Sequence, residues 1–425
     1  MNPLTQPFPP FLSVTDAERK ADLFRHRYDM ILQRTKRHHL FSAPTAVSAT
    51  DAVKKKFALQ TVEHLLGTSA KVNDLIVLGM LTQIKHGTFS LEDPTGAVTL
   101  DLGETKFHTG LYTESCFVLA EGWYEDAVFH VTALGFPPAE SAETSRAYFG
   151  SINFFGGPSE ACAKKCAKLA KIEAENNSDA LFVLLSDVWL DSPFVMASLK
   201  KLFAGYNSIP PTAIVLMGNF LQSPYGADQA KVLREHFKIL GDMLAEYTDL
   251  LESTKLIFVP GPSDPGFTPI FPRPALPTYV TEELTKRLPA DCSAVKFVSN
   301  PSRVQFCTQE IVLFREDIVT KMCRNCVYFP DDGEVTGHFA KTLITQGHLA
   351  PLPLHICPTY WDFDRSMFLY PLPDLVVTGD RFDPFVVSEL GCKVVNPGSF
   401  GKNDFTFMTY VPKTKEIEES QIPSE

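Results

Sequence analysis

Polar residues that could do chemistry follow four short apolar runs of the sequence. The runs are residues 181–185, 213–217, 256–259 and 375–377, and every residue in them is apolar. Such runs are typical of strands that are covered on both faces of a sheet. In open α/β sheets, ligands bind in the crevice beyond the carboxyl ends of the strands. We therefore expect one crevice to be built from the four turns that follow these runs, which are Ser186-Asp187-Val188-Trp189, Gly218-Asn219, Gly261-Pro262-Ser263-Asp264 and Gly379-Asp380-Arg381-Phe382.

The turns resemble those of a known family of phosphoesterases, and that resemblance implies a site in which two bound cations hydrolyse a phosphoester. Such a site needs carboxylates and neutral imidazoles that hold two cations about 3.5 to 4 Å apart, so that the attacking and leaving oxygens are both stabilised. The order of the turns resembles that of the calcineurin-like phosphoesterases, in which they read Asp-x-His, Gly-Asp-x-x-Asp, Gly-Asn-His-Asp and Gly-His-x-His. Only Asp187 and Asp264 match that pattern.

Most metal ligands of the pattern are missing from this chain. Trp189 stands at the first histidine position, and an indole offers an N–H donor but no lone pair for a cation. Asn219 stands where the bridging aspartate should be and brings no negative charge. The other ligand positions are also substituted: Pro262 and Ser263 replace Asn and His, Asp380 and Phe382 replace two histidines, and Arg381 adds a positive charge.

The sequence therefore predicts the frame of a phosphoesterase site with no catalytic residue, no metal ligand and no cofactor. Its three aspartates are instead expected to cap helices or turns at the strand ends. The positions of this vestigial site are Asp187, Trp189, Gly218, Asn219, Gly261, Pro262, Ser263, Asp264, Gly379, Asp380, Arg381 and Phe382.

The elements that position these turns predict a fold of class α/β plus all-β. Helical stretches lie before and between the apolar runs, which predicts a layered α/β domain over 145–412. Upstream, five short strands within 71–137, with a turn at 93–96, predict a barrel of the OB type. Residues 1–70 are expected to form an extended and helical linker region, and 413–425 a flexible tail.

Two helices and a linker are expected within the first 70 residues. The apolar spacing predicts a helix over 16–40 that is capped at Thr15-Asp16, and a short helix over 57–66 that is stopped by Gly67. Residues 47–50 are expected to be a linker between them.

The charge of the chain excludes a global attraction to nucleic acid or to an anionic membrane. The sequence has 39 Lys+Arg and 50 Asp+Glu, so the net charge is −11. The predicted helix is locally basic, with seven Lys/Arg and two Asp/Glu between 19 and 37. It could contact nucleic acid or an acidic partner, although a solvated helix face is the commoner explanation. No apolar run approaches the roughly 18 to 20 residues that cross a bilayer, and nine scattered cysteines favour a reducing, intracellular setting.

Two thiols and two histidines give weak metal signals. Cys323 and Cys326 have the spacing of zinc ligands and His338 lies downstream, but no second pair completes the set. The alternative is that both thiols share one face of a helix predicted from residue 314. His348 is expected to be a core or helix-terminal residue.

The aromatic residues of the predicted barrel could stack on single-stranded DNA, which is a frequent function of OB barrels. Against this, the basic residues within 75–136 are only Lys85 and Lys106. Phosphate binding needs local positive charge, so we favour packing in the barrel core and against the α/β domain. The aromatic residues are Phe89, Phe107, Phe117, Trp123 and Tyr124.

A barrel of the OB type followed by a phosphoesterase domain without ligands resembles the B-subunits of replicative DNA polymerases, and the chain is most similar to their epsilon branch. The resemblance runs from about residue 25 to residue 407. The residues that carry it are 33–38, 89–96, 110–123, 152–159, 185–191, 321–326, 346–349 and 396–400.

The resemblance implies a nuclear, non-catalytic subunit. It implies binding to the zinc-bearing C-terminal region of the catalytic subunit, and contact with other polymerase subunits and with components of the replicative helicase. It also implies that contact with DNA is weak or indirect and that the protein does not contact a membrane. Members of this family usually begin with a small helical domain, and this chain is expected to start in the linker that follows it. The alternatives are a metal-dependent phosphodiesterase or nuclease and a separate single-stranded DNA-binding protein.

Overall fold

The computed structural model describes residues 17–42, 57–85, 87–175, 179–223, 225–266, 268–290 and 292–423. The chain divides into two compact units. Among the described residues, the α/β unit contains 149–320 and 373–423, and the barrel unit contains 17–148 and 321–372. The α/β span predicted at 145–412 is therefore interrupted, because residues 321–372 group with the barrel unit.

The chain begins with the elements of the barrel. These are α1 (Ala17–Arg37), β1 (Leu59–Gln60), α2 (Val62–Leu66), β2 (Val72–Lys85), β3 (Thr88–Asp93), β4 (Gly96–Asp101), β5 (Lys106–Phe107), β6 (Phe117–Glu125), β7 (Val128–Gly135) and α3 (Ala142–Phe149).

The α/β elements follow in the chain. Among them lie α10 of the barrel unit and α9, whose last four residues belong to the barrel unit. In order, these elements are α4 (Ala167–Glu175), β8 (Phe182–Leu185), α5 (Pro193–Ser208), β9 (Ala213–Met217), α6 (Gln229–Leu244), α7 (Thr248–Ser253), β10 (Lys255–Val259), α8 (Thr278–Thr285), β11 (Val295–Phe297), β12 (Ser302–Phe306), β13 (Gln309–Arg315), α9 (Ile318–Arg324), α10 (Val335–Gln346), β14 (Leu375–Gly379), β15 (Phe385–Glu389), β16 (Cys392–Asn396), β17 (Thr406–Val411) and β18 (Glu416–Gln421).

The barrel is one sheet with strand order β1-β2-β3-β4-β7-β5, in which β6 pairs with both β2 and β7. Alternate residues point inward, and Val77, Leu91, Val118 and Phe129 are fully buried in its core. The predicted turn at 93–96 is confirmed, because the Asp93 carboxylate accepts hydrogen bonds from the backbone of the turn. The OB-type fold predicted from the spacing of the strands is thus present.

The helices at the start of the chain differ in part from the prediction. The first is confirmed as α1, whereas only Val62–Leu66 of the second is helical. Leu59 and Gln60 instead pair in parallel with β2, because the barrel edge offers them a strand partner. The proposed cap at Thr15-Asp16 and the linker at 47–50 lie outside the described residues.

Three arginines of α1 form hydrogen bonds within the barrel unit. Arg27 forms a bidentate pair with Asp364, with Nε–Oδ2 and Nη2–Oδ1 distances of 2.9 and 2.5 Å. Arg37 holds Glu140 in the same way, at 2.9 and 2.8 Å, and the buried Arg34 donates to the Thr345 carbonyl. These three arginines are therefore paired inside the barrel unit, and they do not form a solvated helix face or a binding surface for a polyanion.

The α/β unit is built from two sheets whose inner faces share one apolar cluster. The strand orders are β11-β10-β9-β8-β17-β18 and β12-β13-β14-β16-β15. β8 to β11 are parallel, as are β13, β14 and β16. Leu184, Val215 and Ile257 from the first sheet meet Leu313 and Val377 from the second. The four predicted strands are confirmed as β8, β9, β10 and β14.

Helices cover the outer face of the six-stranded sheet. Leu199 of α5, Phe237 of α6 and Leu284 of α8 are fully buried in a second cluster with Leu216 of β9. Each of these helices presents one apolar face to the sheet, as the alternation of apolar runs and helices predicts. Across the described ranges, no helix combines the length and the apolar character needed to cross a membrane.

Two other predictions for the α/β unit are wrong. The helix expected from residue 314 begins only at Ile318, because Phe314 belongs to β13 and is fully buried in the second sheet. The flexible tail is instead β18, which pairs with β17 from Glu416 to Gln421. Polar composition suggested fraying, but the backbone of β17 supplies hydrogen-bond partners.

Candidate functional site

The carboxyl ends of β8, β9, β13 and β14 meet in a crevice of the α/β unit. Asp187 follows β8 and has a side chain that is completely buried. Its φ of 54° lies in the left-handed region, which few residues other than glycine adopt. The structure brings it together with Asn219 and Arg381, as predicted, and with Arg315 and Ser399, which were not among the predicted site residues.

Both oxygens of the Asp187 carboxylate are occupied by protein donors. Oδ1 accepts from Arg315 Nη2 at 2.7 Å and from the Asn219 amide at 3.2 Å. Oδ2 accepts from Ser399 Oγ at 3.0 Å and from Arg381 Nε at 3.2 Å. Burial acts to raise the pKa of Asp187, but the two arginine charges and these hydrogen bonds outweigh it and lower the pKa below its usual value.

Arg315 is the centre of the crevice. Its fully buried guanidinium donates to the Gly218 carbonyl after β9, to the Gly379 carbonyl of β14 at 3.0 Å, and to Asp317 Oδ1 at 2.9 Å. With the bond to Asp187, these bonds link the ends of β8, β9 and β14 to the end of β13. Burial acts to lower the pKa of Arg315, but the charges of the two aspartates raise it, so the side chain stays a cation.

Arg315 could have been found from the sequence. The residues before it, 311–314, are a wholly apolar run of the same kind as the four runs that precede the predicted turns. Polar residues follow that run as well, at Arg315 and Asp317. The signal was hidden because apolar residues at 318, 319 and 322 follow Phe314 at helical spacing, which favoured a helix.

Asp264 and Asp380 are held by backbone amides. Asp264 accepts from the Phe220 amide at 2.8 Å and the Gly261 amide at 2.7 Å, which fixes the turn after β10. Asp380 accepts from the Val319 amide at 2.9 Å at the start of α9. Burial is the main cause that raises the pKa of each carboxyl group to about 6, against the effect of these bonds.

The prediction that the three aspartates are caps therefore holds for two of them. Asp380 caps α9 and Asp264 supports a turn, whereas Asp187 forms a buried ion pair. Asp187 differs because Arg315 lies beside it in the fold. The residues next to Asp187 in the sequence give no sign of that partner.

Gly218 and Asn219 lie where the turn after β9 contacts the turn after β10. Asn219 Oδ1 accepts from the Ser263 amide at 2.8 Å, so this oxygen is already used by the protein. A Cβ atom on Gly218 would lie 1.9 Å from Asp264 Oδ2 and 2.6 Å from the Gly261 nitrogen. Only glycine fits there, because the turns after β9 and β10 are in contact.

The remaining predicted positions do not form a ligand set. The Trp189 ring packs on Gly401, and its buried Nε1 hydrogen has no acceptor among the described residues. Phe382 contributes its backbone, with an amide that donates to Asp380 Oδ1 at 2.9 Å. Pro262 lines a cavity of about 230 Å³ together with Gly261 and Asp264, and neither Asp187 nor Arg315 lines it.

These contacts do not fit a pair of cations. A cation at Asp187 would have to displace a buried guanidinium, and its approach would be opposed by two arginine charges. Within the part of the chain that the structure describes, no three His, Cys, Asp or Glu side chains are grouped to hold a metal ion. The chemistry of the donors thus makes the crevice a closed, internally neutralised structural site.

The other candidate metal residues are engaged elsewhere. His338 Nδ1 accepts from the Gly110 amide at 2.8 Å, and its Nε2 lies 2.9 Å from Asp332. Cys326 lies beyond the end of α9 and its thiol donates to the Cys323 carbonyl at 3.0 Å. The prediction that both thiols share a helix is therefore wrong. His348 is a buried core residue, as expected.

The barrel aromatics are covered by other side chains. Trp123 is stacked on His130, with ring centroids 3.9 Å apart, and Lys71 Nζ lies 3.8 Å from its ring centroid. Phe107 is stacked on Tyr328 at 4.7 Å. Phe117 and Tyr124 are buried, and Phe89 packs against the barrel core. This arrangement supports packing rather than stacking on nucleic acid.

Comparison with known proteins places both units in described families. Residues 182–387 match the family of the B subunit of DNA polymerases alpha and epsilon. Residues 17–138 match the OB-fold domain of DNA polymerase epsilon subunit 2-like proteins.

Similar proteins extend over nearly the whole chain. DNA polymerase epsilon subunit 2 of Homo sapiens is 52% identical over 404 residues, which cover 95% of this chain and 76% of the relative. The Drosophila melanogaster protein of that name is 46% identical over 416 residues, covering 97% and 77%. Among solved structures, an archaeal phosphodiesterase is 13% identical with a TM-score of 0.30, covering 56% of this chain and 98% of that chain.

Proposed function

The chain belongs to the family of DNA polymerase epsilon B subunits, and on that premise we propose that it is a non-catalytic accessory subunit of this polymerase in DNA replication. The observation that carries the proposal is the 52% identity over 404 residues, spread across both units. The family relationship makes the catalytic subunit of the polymerase its partner.

The strand-end crevice contributes to this function through its rigidity. Asp187 and Arg315 are completely buried and satisfied by each other and by backbone groups, so they hold the strand ends in place. A stable α/β unit can then serve as a surface on which a partner assembles. Such a subunit acts by raising the effective concentration of its partners and fixing their geometry.

We infer further that the chain contacts the zinc-bearing C-terminal region of the catalytic subunit, other epsilon subunits and components of the replicative helicase, and that it works in the nucleus. Its contact with DNA is weak or indirect. The net charge of −11, the internal use of three arginines of α1 and the covered barrel aromatics support this last point.

We also propose boundaries and a history for the α/β fold. An OB-fold domain at 71–137 and a phosphoesterase-like domain at 145–412, interrupted by 321–372, would be consistent with the two units. The twelve strand-end positions from Asp187 to Phe382 would be the remnant of a phosphoesterase site.

Co-purification tests the proposed partnership. The full chain is co-expressed with the C-terminal region of the catalytic subunit and passed over a size-exclusion column at low salt. We expect both chains to elute together in one peak, while an unrelated acidic protein used as a control elutes alone. Separate elution of the two chains would contradict the proposal.

The two alternative functions have their own tests. Elemental analysis of the purified chain and a phosphodiester assay in manganese test the hydrolase. Stoichiometric metal, with turnover that Asp187→Ala abolishes, would make the protein an enzyme. Titration with a labelled single-stranded oligonucleotide tests the function as a single-stranded DNA-binding protein. Tight, salt-dependent binding by the chain alone would favour that function.

A further inference from the structure

Residues of the loop that follows β10 line a cavity, which we call the Arg273 cavity. Its volume is about 230 Å³, and its lining consists of Arg273, Thr268, Asp264, two glycines and five prolines. One water molecule needs about 10 to 15 Å³ of such space, whereas sites for drug-sized ligands have about 300 to 1,000 Å³. The cavity is therefore large enough for a small chemical group and too small for a large ligand.

Arg273 is a buried cation at this cavity, with only 7% of the residue exposed. Its backbone forms two hydrogen bonds with the backbone of Asn300, at 2.7 and 2.9 Å. Its guanidinium carbon lies 4.4 Å from the centre of the Phe271 ring. Nη2 donates to Glu316 Oε2 at 2.9 Å and lies 3.4 Å from the Pro269 carbonyl oxygen. These contacts hold the side chain in position before any ligand arrives, which lowers the entropy lost on binding.

Two nitrogens of this guanidinium are not used by the protein. Nε and Nη1 of Arg273 are buried, and no atom in the described part of the chain accepts their hydrogens. A buried donor without an acceptor costs free energy, and the cost is larger for a charged group. By contrast, all three guanidinium nitrogens of the buried Arg315 donate to acceptors. An acceptor is thus missing at an arginine that lines a cavity.

The walls of the cavity restrict the kind of acceptor that fits. Proline has no N–H group, so half of the lining residues offer no backbone donor. The Gly261 amide, another potential donor, already donates to Asp264 at 2.7 Å. Phosphate sites are typically built from several backbone amides that point at the anion. The lining therefore does not suit a phosphate. The prolines that line the cavity are Pro260, Pro262, Pro265, Pro269 and Pro274.

A carboxylate matches these walls. It carries a single negative charge, forms charge-assisted hydrogen bonds with a guanidinium, and has a hydrocarbon part that can pack on proline rings. We propose that the Arg273 cavity binds a carboxylate group, either of a small organic acid or of an acidic side chain in a partner protein, through the unused N–H groups of Arg273.

The two acidic residues near the site are occupied by protein donors. Glu316 accepts from Arg273 and from the Asp317 amide at 2.9 Å. Asp264 accepts from the amides of Phe220 and Gly261. Their charges would oppose a dianion more strongly than a monoanion, which again favours a carboxylate over a phosphate. The proposal is independent of the assembly function and of the crevice, because neither Asp187 nor Arg315 lines the cavity.

Nuclear magnetic resonance of the full chain with isotope-labelled arginine tests the proposal. Arg273→Lys keeps a cation beside Glu316 and identifies the Nε–H signal of Arg273 by its loss. The probes are sodium propionate and the amide of acetylated glutamate, with neutral propionamide and inorganic phosphate as comparisons. We expect both carboxylates to shift the Arg273 signal in a saturable way and propionamide to leave it unchanged. Phosphate should bind at least about tenfold more weakly than propionate.

Two leucine variants separate the cavity from the rest of the unit. Gly266→Leu adds a side chain at the cavity wall, where a Cβ would meet only the Asp264 carbonyl oxygen, at 3.9 Å. Gly205→Leu is the matched control on the exposed side of α5, where a Cβ meets no atom within 4 Å. We expect Gly266→Leu to weaken propionate binding about tenfold, because it fills the cavity, and Gly205→Leu to leave the affinity within about twofold of the original.

An Arg273 signal that does not move with up to about 100 mM propionate would overturn the proposal. Equal weakening by both leucine variants, or phosphate binding as tight as that of propionate, would also overturn it. Tighter binding of the glutamate compound would identify a protein as the source of the carboxylate, and equal binding a free acid, and both results support the site. Unchanged melting temperatures show that the leucine variants are folded. If Gly266→Leu does not fold, the signal of the unmodified chain decides the outcome.

Discussion

Replacement of Arg315 by methionine should destabilise the α/β unit strongly. The change keeps an unbranched side chain but removes the buried cation, so Asp187 loses its 2.7 Å partner and the Gly218 and Gly379 carbonyls lose their donor. Removing one member of a buried ion pair costs about 3 to 5 kcal/mol. For a unit of this size, that loss corresponds to a fall in melting temperature of about 10 °C.

A second variant identifies the cause of this loss. In D187N/R315M the stranded charge is also removed, and we expect the double variant to recover about half of the lost stability. The control Lys286→Met acts on an ion pair whose lysine is 55% exposed and should leave the melting temperature unchanged. Thermal unfolding followed by circular dichroism and tryptophan fluorescence measures all three. A melting temperature of R315M within about 1 °C of the original would refute the proposed role of the guanidinium.

Three further predictions concern other buried groups. The pKa values of Asp264 and Asp380, raised to about 6, mean that their protonated forms favour the folded state. The stability they provide is present below pH ~4 and lost as the pH rises through 6, so the melting temperature should rise from pH 7 to pH 5, and less so in Asp380→Asn. Asp364→Asn should loosen α1, since the pKa of this carboxyl is lowered well below its usual range as the charge of Arg27 outweighs burial; limited proteolysis should cleave α1 faster, and an unchanged rate would contradict this. Gly218→Ala should reduce the yield of folded protein, because the added atom would lie 1.9 Å from Asp264 Oδ2, and a normal melting curve would argue against that.

Local patterns of sequence were sufficient for the strands that surround the crevice. The apolar runs at 181–185 and 213–217 became β8 and β9, since a strand covered on both faces needs no alternation. The placement of the turns after these runs also predicted that Asn219 and Arg381 lie close to Asp187. These inferences depend on residues close together in the chain.

Long-range pairing explains what the sequence did not reveal. Arg315 is 128 residues from Asp187, and Arg27 is 337 residues from Asp364, so no local pattern joins either pair. The same reason accounts for β18, whose polar sequence becomes a strand only because β17 lies beside it. Polar composition indicates solvent exposure but does not distinguish a frayed end from an edge strand.

The arginine at the centre of the crevice also makes hydrolytic chemistry difficult to introduce. An acid in place of Asn219, or a histidine in place of Trp189, would put new ligands around a cation that is part of the chain itself. Removing that cation first would weaken the frame that any new ligand needs. A descendant of this chain would therefore have to change several positions together to hold a metal ion here, and each single step would be disfavoured.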